Sequence, residues 1–549
     1  MSVVFDAGAP ASTARPPSWI LALAIAPALA ALGAWLVWIV AADPAVGMFS
    51  DSVDYLIMAD FYRGMLGADR EAAYYSVAHY GTSRFPPLFP LLLAGAGAGR
   101  LQPGIAYLVT AACALFACVA VGAWYLRQMR STATTAALLA AATLGVSSTQ
   151  LLLNPVSEPL YVALLATSFV VAARVRDGDV SPLLLGLVAG MVPLARMAGV
   201  AVAIAVVCWL FRGSGRRRRD CVPAALAAIL PALLWMGYRS LLPVNEDYAA
   251  QLSLERMLEA FGGWQGLVVE QPLRQLDAVA ANFALTATPL ARGVALVTLA
   301  LAAHGWWLRL CRQELDAYYL PLYLGICMVW PYPAESARLM AVAMPVVLLH
   351  AWWSAAWLGR VAAERRRASH VLPSALVATW ILALAWPWAG IARRASLDAD
   401  DELRPFRRST SYFLASGAAE AEAAAEHWAR LVEMARSLPE VIGRECVYTT
   451  FPSMVWLQSG GRARALLIPA PEALPQPPAA LFDRCRYVLA LNMESPQNDI
   501  PPLFPAELLA DDAHAVLLSQ TRVGGRDVTA AVLLERRPPV EASPARTRP

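Results

Sequence analysis

Long apolar runs alternate with short charged stretches along this chain, a pattern that belongs to a multi-span helical membrane protein. The first run, Trp19 to Ala42, carries no charge between Arg15 and Asp43. At about 1.5 Å of helical rise per residue it crosses a bilayer with some tilt. It is longer than the ~7–15-residue apolar core of a cleaved signal peptide, so it reads as a retained first span. Further runs follow at Ile105–Leu126, Thr134–Leu153, Pro159–Ala173, Leu183–Leu194, Ala198–Phe211, Val222–Gly237, Gly293–Leu308, Tyr318–Trp330, Leu339–Leu358 and Leu372–Ala389. Pro159–Ala173, Leu183–Leu194, Ala198–Phe211 and Tyr318–Trp330 are short for a hydrocarbon core of about 30 Å. Their length predicts a thinned or hairpin region facing a cavity.

The fold expected is mainly α: a polytopic membrane protein of about eleven transmembrane helices with a small C-terminal α/β domain. Residues 1–17 precede the membrane domain, which spans 18–391 with long loops at 43–104 and 238–292. Within the second loop, Leu252 to Phe261 reads as an amphipathic surface helix. Residues 392–535 form the tail domain. It opens with a helix rich in Ala and Glu, Ala418 to Leu438. Short strand-like runs follow at Cys446–Thr449, Met454–Leu457, Tyr487–Leu491, Ala515–Leu518 and Thr529–Leu533. The end, 536–549, is rich in Pro and Arg and reads as disordered.

Arginine sets the orientation. With the N-terminus inside, the inner loops carry Arg15, Arg127, Arg130, Arg174, Arg176, Arg212, Arg216 to Arg219, Arg309, Arg312, Arg360 and Arg365 to Arg367. The positive-inside rule therefore predicts a cytoplasmic N-terminus, and an odd number of spans puts the tail domain outside. That is the topology of a multi-pass protein of a bacterial inner membrane with a periplasmic tail domain.

Composition narrows the function. Only 15% of residues are charged and 58% are hydrophobic, against about 25% charged in soluble domains, which excludes a soluble enzyme. A net charge of +3 with no basic, aromatic-interleaved patch gives no sign of a nucleic-acid partner. The eight cysteines show no CxxC or Cys/His spacing, which speaks against a structural metal site. Cys446 and Cys485 each begin a predicted strand, where neighbouring strands allow either a disulfide or two thiols.

Candidate chemistry starts directly after the first span, at Phe49-Ser50-Asp51-Ser52-Val53-Asp54-Tyr55-Leu56. In a helix beginning there, Asp51 and Asp54 share a face. Two carboxylates at the rim of a membrane cavity serve as a general base or hold a divalent cation such as Mg²⁺ or Mn²⁺. They equally suit a helix N-cap and its N3 partner. Further along the loop lies Ser83-Arg84-Phe85-Pro86-Pro87-Leu88-Phe89-Pro90, whose prolines force an extended turn.

The order of these segments resembles the polyprenyl-phosphate-sugar glycosyltransferases of the GT-C class, such as the bacterial protein O-mannosyltransferases and aminoarabinose transferases. Ser157-Glu158-Pro159-Leu160, Leu194-Ala195-Arg196 and Arg338-Leu339-Met340 through Pro345 resemble further segments of that family in the same order. The likeness covers roughly residues 18 to 360. The acidic pair is spaced Asp-x-x-Asp here, where the family has adjacent acids, and Leu339 stands where the family often has Tyr.

The resemblance implies a GT-C-like fold and an inverting transferase on the outer face. Its donor is a sugar on a polyprenyl phosphate, and its acceptor hydroxyl belongs to an envelope glycan, lipid or protein. Asp51 would be the base, assisted by Asp54. Arg196, Arg338 and Arg84 would bind the donor phosphate, because the arginine fork pairs with phosphate oxygens. Glu158, Tyr55 and His79 would contact substrate. Arg196 and Arg338 are equally explained as side chains snorkelling to the interface, and Glu158 as an acid favoured at a helix N-terminus. Two readings of other classes stay open: a transporter or flippase, and a non-catalytic subunit of an envelope glycan assembly system.

Overall fold

In a computed structural model of the protein, the described residues are 43–45, 48, 51–64, 85–129, 154–241, 254–284, 287–330, 335–365, 375–384, 403, 406, 418–468, 478–492, 513–523 and 526–536. The helices of the N-terminal part are α1 (Asp51–Tyr62), α2 (Leu88–Ala96), α3 (Pro103–Met129), α4 (Glu158–Asp177), α5 (Pro182–Ala195), α6 (Val200–Arg212) and α7 (Arg218–Ser240). After them come α8 (Leu254–Ala260), α9 (Gln271–Ala284), α10 (Pro289–Cys311), α11 (Leu315–Val329), α12 (Ser336–Arg365) and α13 (Ala375–Leu384).

Among the described residues five helices are long and apolar enough to cross a membrane: α3, α4, α7, α10 and the Ser336–Val361 part of α12. The protein is therefore mainly helical and membrane-embedded. The runs Trp19–Ala42 and Thr134–Leu153 lie outside the described residues. Of the four runs that look short, α4 is 20 residues long, because Glu158 and the charged stretch Arg174 to Asp177 are helical too. The other three, α5, α6 and α11, are short helices of 14, 13 and 15 residues.

Small residues let these helices approach closely. Gly186 and Gly190 stand one turn apart on α5, in a G-x-x-x-G spacing. A Cβ there would fall 2.1 and 2.3 Å from the carbonyl oxygens of Ala224 and Ala227 on α7. Membrane helices lack a hydrophobic driving force between them, so this backbone-to-backbone fit is what holds the pair. Between α5 and α6 the chain breaks at Arg196, whose backbone is extended at φ −157° and ψ 137°. A short turn, Met197–Gly199, then starts α6. Gly199 is required in that break, since a Cβ would lie 2.5 Å from the backbone of Val192 and Pro193.

The loop from Tyr238 to Arg292 holds more structure than its composition suggests. Besides α8 it contains α9, whose buried positions Gln271, Gln275, Ala278, Val279, Asn282 and Phe283 recur at helical spacing. That face is partly polar, which hides it from a search for apolar runs. Its amides are bonded to the helices below: Gln275 Nε2 donates to the Cys327 carbonyl at 3.1 Å, and Asn282 Nδ2 to that of Ala337 at 3.0 Å.

The tail domain consists of α14 (Ala418–Ile442), β1 (Cys446–Thr449), α15 (Pro452–Gln458), β2 (Arg464–Leu467), β3 (Tyr487–Leu491), β4 (Ala513–Val523) and β5 (Arg526–Arg536). The sheet order is β2-β1-β3-β5-β4, with β1 parallel to both β2 and β3 and the other pairings antiparallel. The apolar run Met454–Leu457, expected as a strand, is helix α15. Pro452 in its first turn favours a helix, and two parallel strands need a crossover between them. Buried residues of α14 pack with β1, β3 and β5, including Leu431, Ala435, Val447, Leu489 and Leu533. Cys446 and Cys485 form a disulfide that ties β1 to the turn before β3.

This domain rests on the segment that leads into α1. Arg436 pairs with Asp43, and Gln458 Nε2 donates to the Ala45 carbonyl at 2.9 Å. Arg100 lies 5.9 Å from the ring of Trp456, while its backbone amide donates to Asp60 of α1 at 3.2 Å. The tail thereby fixes the position of the helix that carries Asp51.

Candidate functional site

Four charged side chains from four elements meet at one end of the helical part. Asp51 is the first residue of α1, Glu158 the first of α4, and Arg338 lies in the first turn of α12. Arg196 occupies the break between α5 and α6. Glu158 is fully buried and one of its oxygens, Oε1, accepts from both Arg196 and Arg338. Arg338 Nη1 also reaches Asp51 Oδ2, at 2.8 Å.

The physical logic of the cluster is anion attraction. Three helix N-termini converge here, and each presents a partial positive charge. Arg196 and Arg338 add two positive charges that Glu158 and Asp51 balance, so the positive surplus is that of the helix ends. Burying charge without partners costs several kcal/mol, so fully buried Glu158 and its two arginines require one another, while Asp51, 18% exposed at the rim, is a further partner of Arg338. Pairing is nevertheless incomplete: Glu158 Oε2 and Arg338 Nη2 are buried with no hydrogen-bond partner among the described residues.

Tyr55 lies one turn after Asp51 and is held between Phe85 and Phe89, with ring centroids 4.7 and 5.0 Å away. Its hydroxyl contacts Ser157 Oγ at 3.0 Å, next to Glu158. Burial, then the charges of Asp51 and Glu158, push its phenol well above the ordinary range, so it stays protonated. Asp54 is buried on α1, one turn from Asp51. Arg84 and His79 lie outside the described residues.

One further neighbour escapes a reading of the sequence, and a second, Ser157, is marked there only as part of a segment. Glu335 precedes α12 by one residue and accepts from Trp330 Nε1 at 3.1 Å. Burial raises its carboxyl pKa above the usual value, with Arg338 acting in the opposite direction. Its i, i+3 spacing from Arg338 is the signal that could have found it. Ser157 joins through its contact with Tyr55. Among the described residues no group of three or more His, Cys, Asp or Glu side chains is placed to hold a metal ion.

A second buried charged group occupies the other end of the helices. Arg309 of α10, Asp316 of α11 and His350 of α12 are all buried. Arg309 Nε donates to Asp316 Oδ1 at 2.9 Å, and a second bond joins Nη2 to Oδ2. His350 Nε2 lies 3.3 Å from the same Oδ1, and Gln128 Oε1 accepts from Arg309 at 3.2 Å. The sequence offers little warning, because Asp316 and His350 are single polar residues at the edge and centre of apolar runs.

No known family model and no curated protein matches this chain.

Proposed function

We propose that the protein is a membrane glycosyltransferase that moves a sugar from a polyprenyl phosphate to an acceptor hydroxyl, with inversion, on the periplasmic face of a bacterial inner membrane. The observation that carries this reading is the junction of Asp51, Glu158, Arg196 and Arg338 at converging helix N-termini. Such a junction suits a phosphate. Two arginines and three positive helix ends face it, and one arginine nitrogen, Arg338 Nη2, lacks a partner among the described residues.

Without donor, Arg338 holds Asp51. A donor phosphate would compete for that guanidinium and release the carboxylate. Asp51 then accepts the proton of the acceptor hydroxyl as its oxygen attacks the anomeric carbon. The bond from the anomeric carbon to the phosphate oxygen breaks, and the polyprenyl phosphate leaves against Arg338 and Arg196. Glu158 keeps both arginines oriented, and protonated Tyr55 stiffens the start of α4 through Ser157. Asp54 assists, and a divalent cation held by Asp51 and Asp54 is the alternative use of the pair. The acceptor belongs to an envelope glycan, lipid or protein.

Transfer of labelled sugar from a panel of polyprenyl-phosphate donors, in membranes with and without the protein, tests this reading. Transfer that needs the protein supports it, and loss of transfer with EDTA selects the cation role for Asp51 and Asp54. Absence of protein-dependent transfer across the panel counts against an enzyme. A transporter is the second reading, since ionisable residues within membrane segments often mark transport paths, and the buried Arg309–Asp316–His350 group serves it only if that group does more than lock the helices together.

A further inference from the structure

At the end opposite the proposed site, α6 and α7 leave an apolar groove of about 180 Å³. Phe211 of α6 forms one wall, and Val222, Leu226, Ile229, Leu230 and Leu233 of α7 form the other. On α7 these positions recur every three or four residues, so they make one continuous stripe. From Val222 to Leu233 the stripe is roughly 17 Å long, about half of a ~30 Å hydrocarbon core, which is one leaflet. Phe211, Val222, Leu226, Leu230 and Leu233 are all exposed among the described residues.

The head of the stripe is cationic. Arg218 precedes Val222 by four residues and so tops the same face. Arg217 and Arg218 are exposed, as is Arg212 at the end of α6. Arg217 stands at the N-cap of α7 with an extended backbone, and among the described residues no side chain caps the first amides of that helix. The neighbouring charges are otherwise engaged: Arg216 donates to the Val175 carbonyl, and Arg219 lies 3.8 Å from Asp220.

We propose that this groove holds one anionic phospholipid of the bilayer, with an acyl chain along the α7 stripe and its phosphate on Arg217, Arg218 and the uncapped start of α7. Charge complementarity and leaflet-matched length select this occupant. A zwitterionic lipid gains no net charge attraction there, and a soluble anion gains nothing from the stripe. The inference is independent of the glycosyltransferase reading, because the groove and that site lie at opposite ends of the helices.

The test uses the full chain in nanodiscs of phosphatidylcholine with or without phosphatidylglycerol, with retained lipid counted by native mass spectrometry. Preferential retention of one phosphatidylglycerol is expected. The double variant Arg217→Gln/Arg218→Gln should hold it about thirtyfold more weakly, since each surface arginine contributes about a factor of five to anionic-lipid binding. Arg217→Lys/Arg218→Lys should retain it. Ile229→Trp, which fills the groove and leaves the charges alone, should cause a comparable loss and serves if the Gln variant fails to fold. Equal retention of both lipids overturns the proposal, as does unchanged retention in the Gln variant or in Ile229→Trp. Displacement of the lipid by inorganic phosphate alone also overturns it.

Discussion

Two buried groups of charge stand at opposite ends of the same helices, and they are built differently. At the centre of the Asp316 group charge is closed off: Arg309, Asp316 and His350 are 0%, 2% and 0% exposed in their side chains, with Glu314 at the rim. Arg309 forms a two-bond fork with Asp316, and its guanidinium lies 5.3 Å from the ring of Trp353. The adjoining cavity, of about 10 Å³, has room for roughly one water. Around Glu158 the arrangement is open: Asp51, Arg196 and Arg338 keep 18%, 14% and 23% of their side-chain surface exposed. An arginine nitrogen and a carboxylate oxygen there lack partners among the described residues. The comparison teaches that burial of charge alone does not mark a site. Partnerless atoms occur at both ends among the described residues, His350 Nδ1 and Trp353 Nε1 beside Asp316 included, so the difference is access to solvent. Charge closed off from solvent marks a structural lock, and charge within its reach marks a place for a ligand.

The largest effect that sharpens this contrast is expected from Asp51→Asn. Loss of a general base lowers transfer by about 10²–10⁴-fold, while purified yield and melting temperature stay near wild type. Next is Asp316→Asn, which leaves the Arg309 charge buried without its partner and costs about 3–5 kcal/mol of stability. A thermal melt in detergent checks it, and a melt matching wild type would break the distinction between the two ends. Arg338→Lys should act third. A point charge replaces the planar fork and its bond to buried Glu158, so donor KM rises about 10–100-fold and the melting temperature falls by less than in Asp316→Asn, in keeping with charged hydrogen bonds of about 1.5–3 kcal/mol. Steady-state kinetics over donor concentration reads this directly.

The smallest effect concerns Asp60, beneath the tail domain. Burial raises its carboxyl above the ordinary value of 3.8, with the Arg100 amide and charge opposing. The folded form therefore binds the proton more tightly than the unfolded form. Its contribution is fully present below the ordinary value and declines as pH rises through the raised one. Asp60→Asn should flatten that decline in a pH series of melts, and an unchanged slope would assign it to other groups.

Apolar periodicity made most of the helices legible, because spans of this length need few other signals. Runs such as Val222–Gly237 and Gly293–Leu308 lie inside α7 and α10, whose charged ends the hydropathy pattern does not capture. It failed at α9, where the buried face carries Gln271, Gln275 and Asn282, and at α15, where four apolar residues fit helix and strand alike. Glu158, Arg196 and Arg338 were visible as isolated charges beside apolar runs, yet nothing local says that they touch. They lie 38 and 180 residues apart in the chain, and only the packing of α1, α4, α5 and α12 brings them to one carboxylate oxygen. The Asp316 group was not legible, since it depends on contacts between helices that periodicity does not encode, whereas Glu335 left only its i, i+3 spacing from Arg338 as a sign.

The most direct test sets the two ends against each other in one assay: sugar transfer from a polyprenyl-phosphate donor, per mole of folded protein, for wild type, Asp51→Asn and Asp316→Asn. The account predicts that Asp51→Asn folds and loses transfer, while the folded fraction of Asp316→Asn transfers at close to the wild-type rate. Full transfer by Asp51→Asn, or a transfer defect confined to Asp316→Asn, would contradict it.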